Sequence, residues 1–184
     1  EWLRAVTTDW LRAHGLPVTE LHLRPDRDYR PAPGYKLDVL QRMNETAPSV
    51  IAKDRDRVVG YALVMPREFA SDVPILRPLF HMLDELSWSG ARLRDQPRWF
   101  VMGQICIAAA YRGRGIFDGL YRAMAENYRN RYDFTVTEVA ARNTRSLRAH
   151  ARAGFHTLQV YADATTGEEW HVLVLDFNTS AQTP

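Results

Sequence analysis

Two glycines set between arginines carry the first chemical signal in this chain. Arg112, Gly113, Arg114 and Gly115 stand between an apolar stretch ending at Ala108 and a segment from Ile116 whose apolar residues fall at helical spacing. Glycine lets the backbone come close to a ligand and take a positive φ, while the helix behind it offers unpaired N–H groups and the positive end of its dipole. With two guanidinium groups beside them, those features suit phosphate oxygens. The same residues also read as an ordinary glycine-rich turn with solvated arginines. Gly113, Gly115 and Gly119 come near a dinucleotide fingerprint as well, but only 65 of the 184 residues follow Gly119, and a doubly wound dinucleotide fold needs several more strand–helix units. The common nucleotide P-loop is a weaker match still, because no Gly-Lys-Ser/Thr follows the turn.

A second constellation begins at Asn143. Asn143, Ser146, Leu147 and His150 lie at offsets of three, four and seven, one stripe of a helix. His150 is open to two readings, a hydrogen-bonded helix histidine or a catalytic imidazole. Arg142, Arg145, Arg148 and Arg152 run alongside with no acid between them, either as a solvated face or as an electropositive wall beside a polyanion. Glu138, in the apolar run just before, is either a strand-end carboxylate paired with Arg142 or Arg145, or a buried base with an unusual desolvation cost. Cys106 is the only cysteine; it reads as a core thiol or, less economically, a nucleophile.

The elements that must hold these residues follow from periodicity. Trp99 to Ala108 reads as a buried strand, Ile116 to Tyr132 as a helix, Phe134 to Ala140 as a strand and Thr144 to Ala153 as a helix stopped by Gly154. Strand, polar turn, helix thus occurs twice in succession. Ahead of it, Ser49 to Lys53 and Val58 to Met65 make a hairpin around Asp54 to Arg57, and Ile75 to Leu86 makes a helix. Phe155 to Tyr161 and Trp170 to Phe177 close the chain as a second hairpin. Helices are also expected over Glu1 to Gly15 and Tyr35 to Thr46, joined by a proline-rich connection.

Composition fits one globular domain. The chain has 46% apolar and 25% charged residues, with a net charge of +2, too small an excess to argue for nucleic acid or an anionic membrane. A single cysteine excludes an intramolecular disulfide and a cysteine-rich zinc site and is compatible with a reducing compartment. No apolar run approaches the ~20 residues that span a bilayer. The expectation is a metal-free cytoplasmic protein with neither nucleic-acid nor membrane partner.

Taken together, the two glycine- and asparagine-led segments resemble those of a known family. Ile105 to Phe117, ICIAAAYRGRGIF, resembles the acyl-coenzyme A binding segment of the GNAT-type N-acyltransferases, R/Q-x-x-G-x-G/A after a central strand, with Arg112 and Gly115 at the R/Q and first G positions. Asn143 to Phe155, NTRSLRAHARAGF, is similar to the family's later segment, N-x-x-A/S-x-x-x-Y-x-x-x-G-F, with Asn143, Ser146, Gly154 and Phe155 in register. The resemblance implies an α/β (α+β) fold whose mixed, mostly antiparallel sheet has a V-shaped splay between its two central strands. It implies one domain over 1–184, with 1–47 as a helical acceptor-side region, 48–177 as the motif-bearing core and 178–184 as a tail.

The function so implied is transfer of an acetyl group from acetyl-coenzyme A to a small-molecule amine or peptide acceptor in a ternary complex. Ile105, Cys106, Ile107, Arg112, Gly113, Arg114, Gly115, Ile116, Phe117, Asn143 and Ser146 would contact the coenzyme, with a main-chain N–H near Cys106 or Ile107 facing the thioester oxygen. Phe117 replaces a small residue of the family and is expected to turn into the core. His150 stands where a tyrosine often protonates the departing thiolate, and would be the acid; Glu138 is the candidate base, with Gln104 able only to orient. Helix Ile75 to Leu86, the helix around Leu37 to Met43, and Trp88, Trp99 and Phe100 are expected around the acceptor. A homodimer is compatible with the terminal hairpin. Readings from other classes are a non-catalytic coenzyme A sensor and a dinucleotide oxidoreductase.

Overall fold

Runs that are apolar at nearly every position, such as VVGYALVM and VLVL, belong in a sheet covered on both faces. The computed structural model, which describes residues 42–73, 76–164 and 166–178, places them there. Its strands are β1 (Val50–Asp54), β2 (Arg57–Pro66), β5 (Trp99–Ile107), β6 (Phe134–Ala140), β7 (His156–Ala162) and β8 (Glu169–Asp176). They form one six-stranded sheet in the order β1-β2-β5-β6-β8-β7. Every neighbouring pair is antiparallel except β5 and β6. That parallel pair is joined by helix α2 (Ile116–Tyr128), and α3 (Thr144–Arg152) connects β6 to β7. Helix α1 (Arg77–Glu85) lies between β2 and a small hairpin, β3 (Ser87–Trp88) with β4 (Ala91–Arg92). Among the described residues no helix is long and apolar enough to cross a membrane.

The sheet separates two cores. Phe100, Met102, Leu120, Tyr121, Met124, Phe155 and Leu173 bind it to α2 and α3. On the other face Trp99, Val101, Val136, Val172 and Val174 meet Phe80 and Leu83 of α1. Trp99 and Phe100 are therefore core residues, not walls of an acceptor pocket. Trp88 is half-buried and stacks on His156.

The central feature is where pairing stops. β5 and β6 match only over Trp99–Val101 against Phe134–Val136, although β5 runs on to Ile107 and β6 to Ala140. Each arm stays bound to its outer neighbour: Gly60 of β2 still faces Ile107, and Trp170 of β8 still faces Ala140. The sheet opens as a V between them, as expected. At its apex the Thr135 hydroxyl donates to the Phe100 carbonyl at 3.1 Å and the Thr137 hydroxyl to the Met102 carbonyl at 3.0 Å, so side chains satisfy acceptors that the departing backbone leaves behind. A bulge adds to the opening. Leu63 faces Gln104 while the next residue, Val64, faces Met102, so β5 carries an extra residue at Gly103, which bends the strand and resets its alternation. Ile105 and Ile107 consequently continue the face of Phe100 and Met102, and Gln104 and Cys106 are aimed at the opposite face.

Boundaries moved by a residue or two from those expected, and α2 ends at Tyr128, not Tyr132. The β3–β4 hairpin was not anticipated; its turn at Ser89 and Gly90 takes positive φ at both residues. The helix expected over Tyr35 to Thr46 is described only at 42–46. The helix at Glu1 to Gly15, the proline-rich connection and the end of the tail lie outside the described residues.

Candidate functional site

The open arm of β5, the glycine turn and one face of α3 enclose a cleft of about 880 Å³. Ile105, Cys106 and Ile107 form its β5 side; Arg112, Gly113, Gly115, Ile116, Phe117 and Asp118 form its end; Asn143, Arg145, Ser146, Arg148, Ala149 and Arg152 form its α3 side. The two constellations found in the sequence are thus brought onto one cavity.

The turn is built for backbone contact. Gly113 and Gly115 have φ of 73° and 76°, a region that costs an L-residue roughly 1–2 kcal/mol. A Cβ at either would meet no protein atom within 4 Å, so the space over the loop is open to a ligand. Gly115 is the N-cap of α2 and provides no side-chain cap; the first amides of that helix face the cleft end without an internal acceptor. Gly60 on β2 lets this helix start come close, because a Cβ there would lie 3.3 Å from Ile116 Cγ2.

Charge is concentrated in the cleft. Its lining holds four arginines and one carboxylate, Asp118, in a chain whose overall excess is only +2. Arg152 is committed to Asp118 at 3.3 Å, which neutralises an acid that would otherwise repel an anion from the start of α2. Arg112 donates through Nε to the Ile107 carbonyl at 3.1 Å, fixing its guanidinium across the mouth of the V. Arg142 pairs outside the cleft with Glu168 at 2.8 Å. Arg114 does not join the lining: its guanidinium stands 5.1 Å over the Tyr111 ring, whose hydroxyl donates to Asp54 at 2.7 Å. The cation–π contact takes it away from the position the sequence suggested.

Asn143 accepts a hydrogen bond from the Ser146 amide at 3.2 Å and so caps α3, leaving its amide NH₂ free to donate. Phe117 lies partly in the core, edge-on to Tyr121 and His150 with ring centroids 5.0 Å from each, yet one side still lines the cleft. Cys106 is half-buried, and burial pushes its thiol up, against the nearby Arg112 guanidinium, which lowers it. At neutral pH it is a thiol, not a nucleophilic thiolate.

His150 is the main correction. Its side chain is 1% exposed, enclosed by Phe117, Tyr121 and Phe155, and is not part of the cleft lining. Nδ1 lies 2.8 Å from the Ser146 carbonyl and Nε2 lies 2.9 Å from the Tyr121 hydroxyl. A carbonyl can only accept, so Nδ1 bears the hydrogen and Nε2 accepts from the phenol. Burial pushes this histidine's pKa down, the bond to Ser146 opposing that in part, and burial holds the Tyr121 phenol protonated. The ring is a neutral strut between α2 and α3, with both nitrogens engaged.

Glu138 is also outside the cleft lining. It shares the β6 face of Phe134 and Val136, opposite α2 and α3, and its carboxylate accepts from the Tyr161 hydroxyl at 2.7 Å. Neither arginine suggested by the sequence is its partner. Gln104 and Cys106 project on the same side from the other arm of the V, where Tyr61 donates to Gln104 at 3.1 Å. Sequence reading missed the threonine bridges at the apex and the neutralising Asp118–Arg152 pair. An acid in the first turn of a glycine-led helix was a visible signal for the latter.

Comparison with known proteins bears on this geometry. The family model described as Acetyltransferase (GNAT) family matches residues 16–155. No curated protein matches the chain by sequence. Among solved structures, a spermidine N-acetyltransferase SpeG chimera from Vibrio cholerae and hSSAT is 13% identical with a TM-score of 0.58, covering 96% of this chain and 94% of that one. The Salmonella typhimurium protein yncA, solved with its cofactor acetyl-CoA, is 14% identical with a TM-score of 0.53, covering 96% and 90%. A GNAT-family protein of Desulfovibrio desulfuricans is 15% identical with a TM-score of 0.52, covering 79% and 83%. At these identities the likeness is one of fold.

Proposed function

The chain belongs to the acetyltransferase (GNAT) family, and from that we infer that it transfers an acyl group, acetyl in the simplest case, from acyl-coenzyme A to an amine within a ternary complex. The observation that carries this reading is the meeting, in one cleft, of an unpaired strand edge at Ile105–Ile107 with the uncapped, glycine-led start of α2. The residues fit a coenzyme A thioester. The amides from Gly113 to Asp118 and the Arg112 guanidinium suit a diphosphate, the free edge of β5 suits an extended amide-bearing arm, and Asn143 and Ser146 add polar contacts from α3.

Bound acyl-coenzyme A supplies the activated thioester carbonyl. The chain supplies the rest. A main-chain N–H at Cys106 or Ile107 donates to the carbonyl oxygen as charge develops there. Glu138 accepts the proton of the attacking amine, directly or through one water, with the Tyr161 hydroxyl holding the carboxylate in place. The acceptor, a small-molecule amine or a peptide amine, approaches from the face shared by Gln104, Cys106 and Glu138. No covalent role falls to Cys106. His150 acts as a strut and not as the acid, so the thiolate takes its proton from solvent. With His150 outside the cleft lining, a second reading, a coenzyme A sensor without turnover, is also favoured.

The test pairs calorimetry with a thiol-release assay. The wild type should bind acetyl-coenzyme A, an Arg112→Glu, Gly115→Glu variant should bind at least tenfold more weakly, and at least one member of an amine panel should release free thiol. Equal heats from the two proteins, or none from either, would overturn the assignment; binding without release from any amine would select the sensor.

A further inference from the structure

A second cavity, of about 440 Å³, adjoins the cleft and is bounded by α2, the end of α3 and the end of β8. Its floor is Tyr121, Leu175 and Phe177, all buried. The Tyr121 hydroxyl is engaged with His150, so the floor presents apolar surface. Over it stand Arg122, Glu126 and Arg129, at offsets of four and seven along one stripe of α2. All three are exposed, and none has an ion-pair partner among the described residues. The lining as a whole holds three arginines and two carboxylates, an excess of one positive charge. The two cavities share a wall: Asp118 and Arg152 line both, and their pairing at 3.3 Å is what masks the Asp118 charge at the start of α2.

We propose that this second cavity is a regulatory site for a small monoanion, a carboxylate on a flat apolar body, whose binding opposes that of the coenzyme in the neighbouring cleft. The apolar floor takes the body, and the guanidiniums of Arg122 and Arg129 offer the carboxylate paired donors. One excess charge matches a monocarboxylate, whereas a dianionic phosphate would leave a charge uncompensated beside Glu126. The opposition follows from the shared wall. An anion here competes with Asp118 for Arg152 and sets a negative charge next to a cleft that has to receive a polyanion. That coupling rests on the coenzyme A reading; the site itself does not.

The experiment titrates 1-naphthoate into the full chain by calorimetry at neutral pH, with 1-naphthalenemethanol and 1-naphthylmethylamine as neutral and cationic versions of the same body. Wild type should bind the carboxylate about tenfold or more tighter than the alcohol, and the amine more weakly still. Arg122→Ala/Arg129→Ala should lose that preference while keeping acetyl-coenzyme A affinity within about twofold, because neither side chain lines the cleft. Glu126→Gln should strengthen naphthoate binding, a gain that a damaged fold cannot imitate. Saturating naphthoate should weaken acetyl-coenzyme A by about fivefold or more, and the weakening should level off as the second site fills. Equal binding of the three naphthalenes, or naphthoate affinity unchanged in the arginine pair or not improved in Glu126→Gln, would overturn the site. Weakening that grows without limit would place naphthoate in the cleft itself, and naphthoate bound with no effect on acetyl-coenzyme A would remove the regulatory role; either overturns the proposal without touching the proposed function. Acetyl-coenzyme A that fails to bind even without naphthoate would remove the coenzyme A reading, and the coupling with it.

Discussion

Replacing His150 separates the two roles open to this imidazole. In His150→Phe a ring of similar size keeps the contacts with Phe117, Tyr121 and Phe155, but the Tyr121 hydroxyl, 2% exposed with its residue, loses its acceptor. An unsatisfied buried hydroxyl costs about 1–3 kcal/mol. The Ser146 carbonyl loses a donor but stays within the hydrogen-bonded turn of α3. His150→Ala adds a cavity, and the total should reach about 3–5 kcal/mol. The pH dependence has a definite sign. The folded pKa is depressed by burial, whereas the unfolded chain titrates near 6.5. Below that pH the unfolded state takes up a proton that the folded state resists, so stability falls with acidification, at up to ~1.4 kcal/mol per pH unit until the folded pKa is reached. His150→Phe lacks this slope, so its deficit against wild type narrows from pH 8 to pH 5 in urea melts. Its kcat, measured where the variant is fully folded, should stay within about tenfold of wild type. A drop of 10²–10⁴ with loss of a titrating limb from the pH–rate profile, in a protein of normal stability, would mean that His150 does donate the proton.

Gly115→Ala forces a Cβ onto φ of 76° at the N-cap of α2, and should cost about 1–2 kcal/mol, a fall of roughly 2–8 °C in Tm at this size, together with at least tenfold in coenzyme A affinity. Glu138→Gln keeps the Tyr161 contact but cannot take a proton; kcat for an amine substrate should fall 10²–10⁴ with the acyl-coenzyme A KM little changed, and an unchanged kcat would remove Glu138 from the reaction. Cys106→Ala should retain kcat within a few-fold, and alkylation of the wild-type thiol should be slow at neutral pH and quicken only under alkaline conditions, since burial raises its pKa. Fast labelling at pH 7 would contradict that.

Much of the framework was readable because it is written in local signals. Periodicity located the six long strands and the two helices that flank the cleft, and the glycines at 113, 115 and 154 marked backbone turns that do take positive φ. What periodicity cannot express is where a side chain points once neighbours compete for it. The stripe containing Asn143, Ser146 and His150 was real, yet its two ends face different media: Ser146 reaches the cleft, whereas one turn on His150 meets the edges of Phe117, Tyr121 and Phe155, which exclude water. Arg114 was drawn to the ring of Tyr111, and Glu138 found a phenol from β7 where an arginine from its own connection was expected. The bulge at Gly103 decides which face receives Cys106, and no local pattern announced it. Pairing across 35 residues, as between Thr137 and Met102, is equally invisible until the sheet is assembled.

The central claim is that the glycine turn and the open edge of β5 hold the two ends of one thioester. Electron density from crystals grown with acetyl-coenzyme A tests it most directly: a diphosphate should lie against the amides of residues 113–118, with the pantetheine arm running beside Ile105–Ile107. Density elsewhere on the surface, or a cleft filled by solvent at saturating ligand, would contradict it.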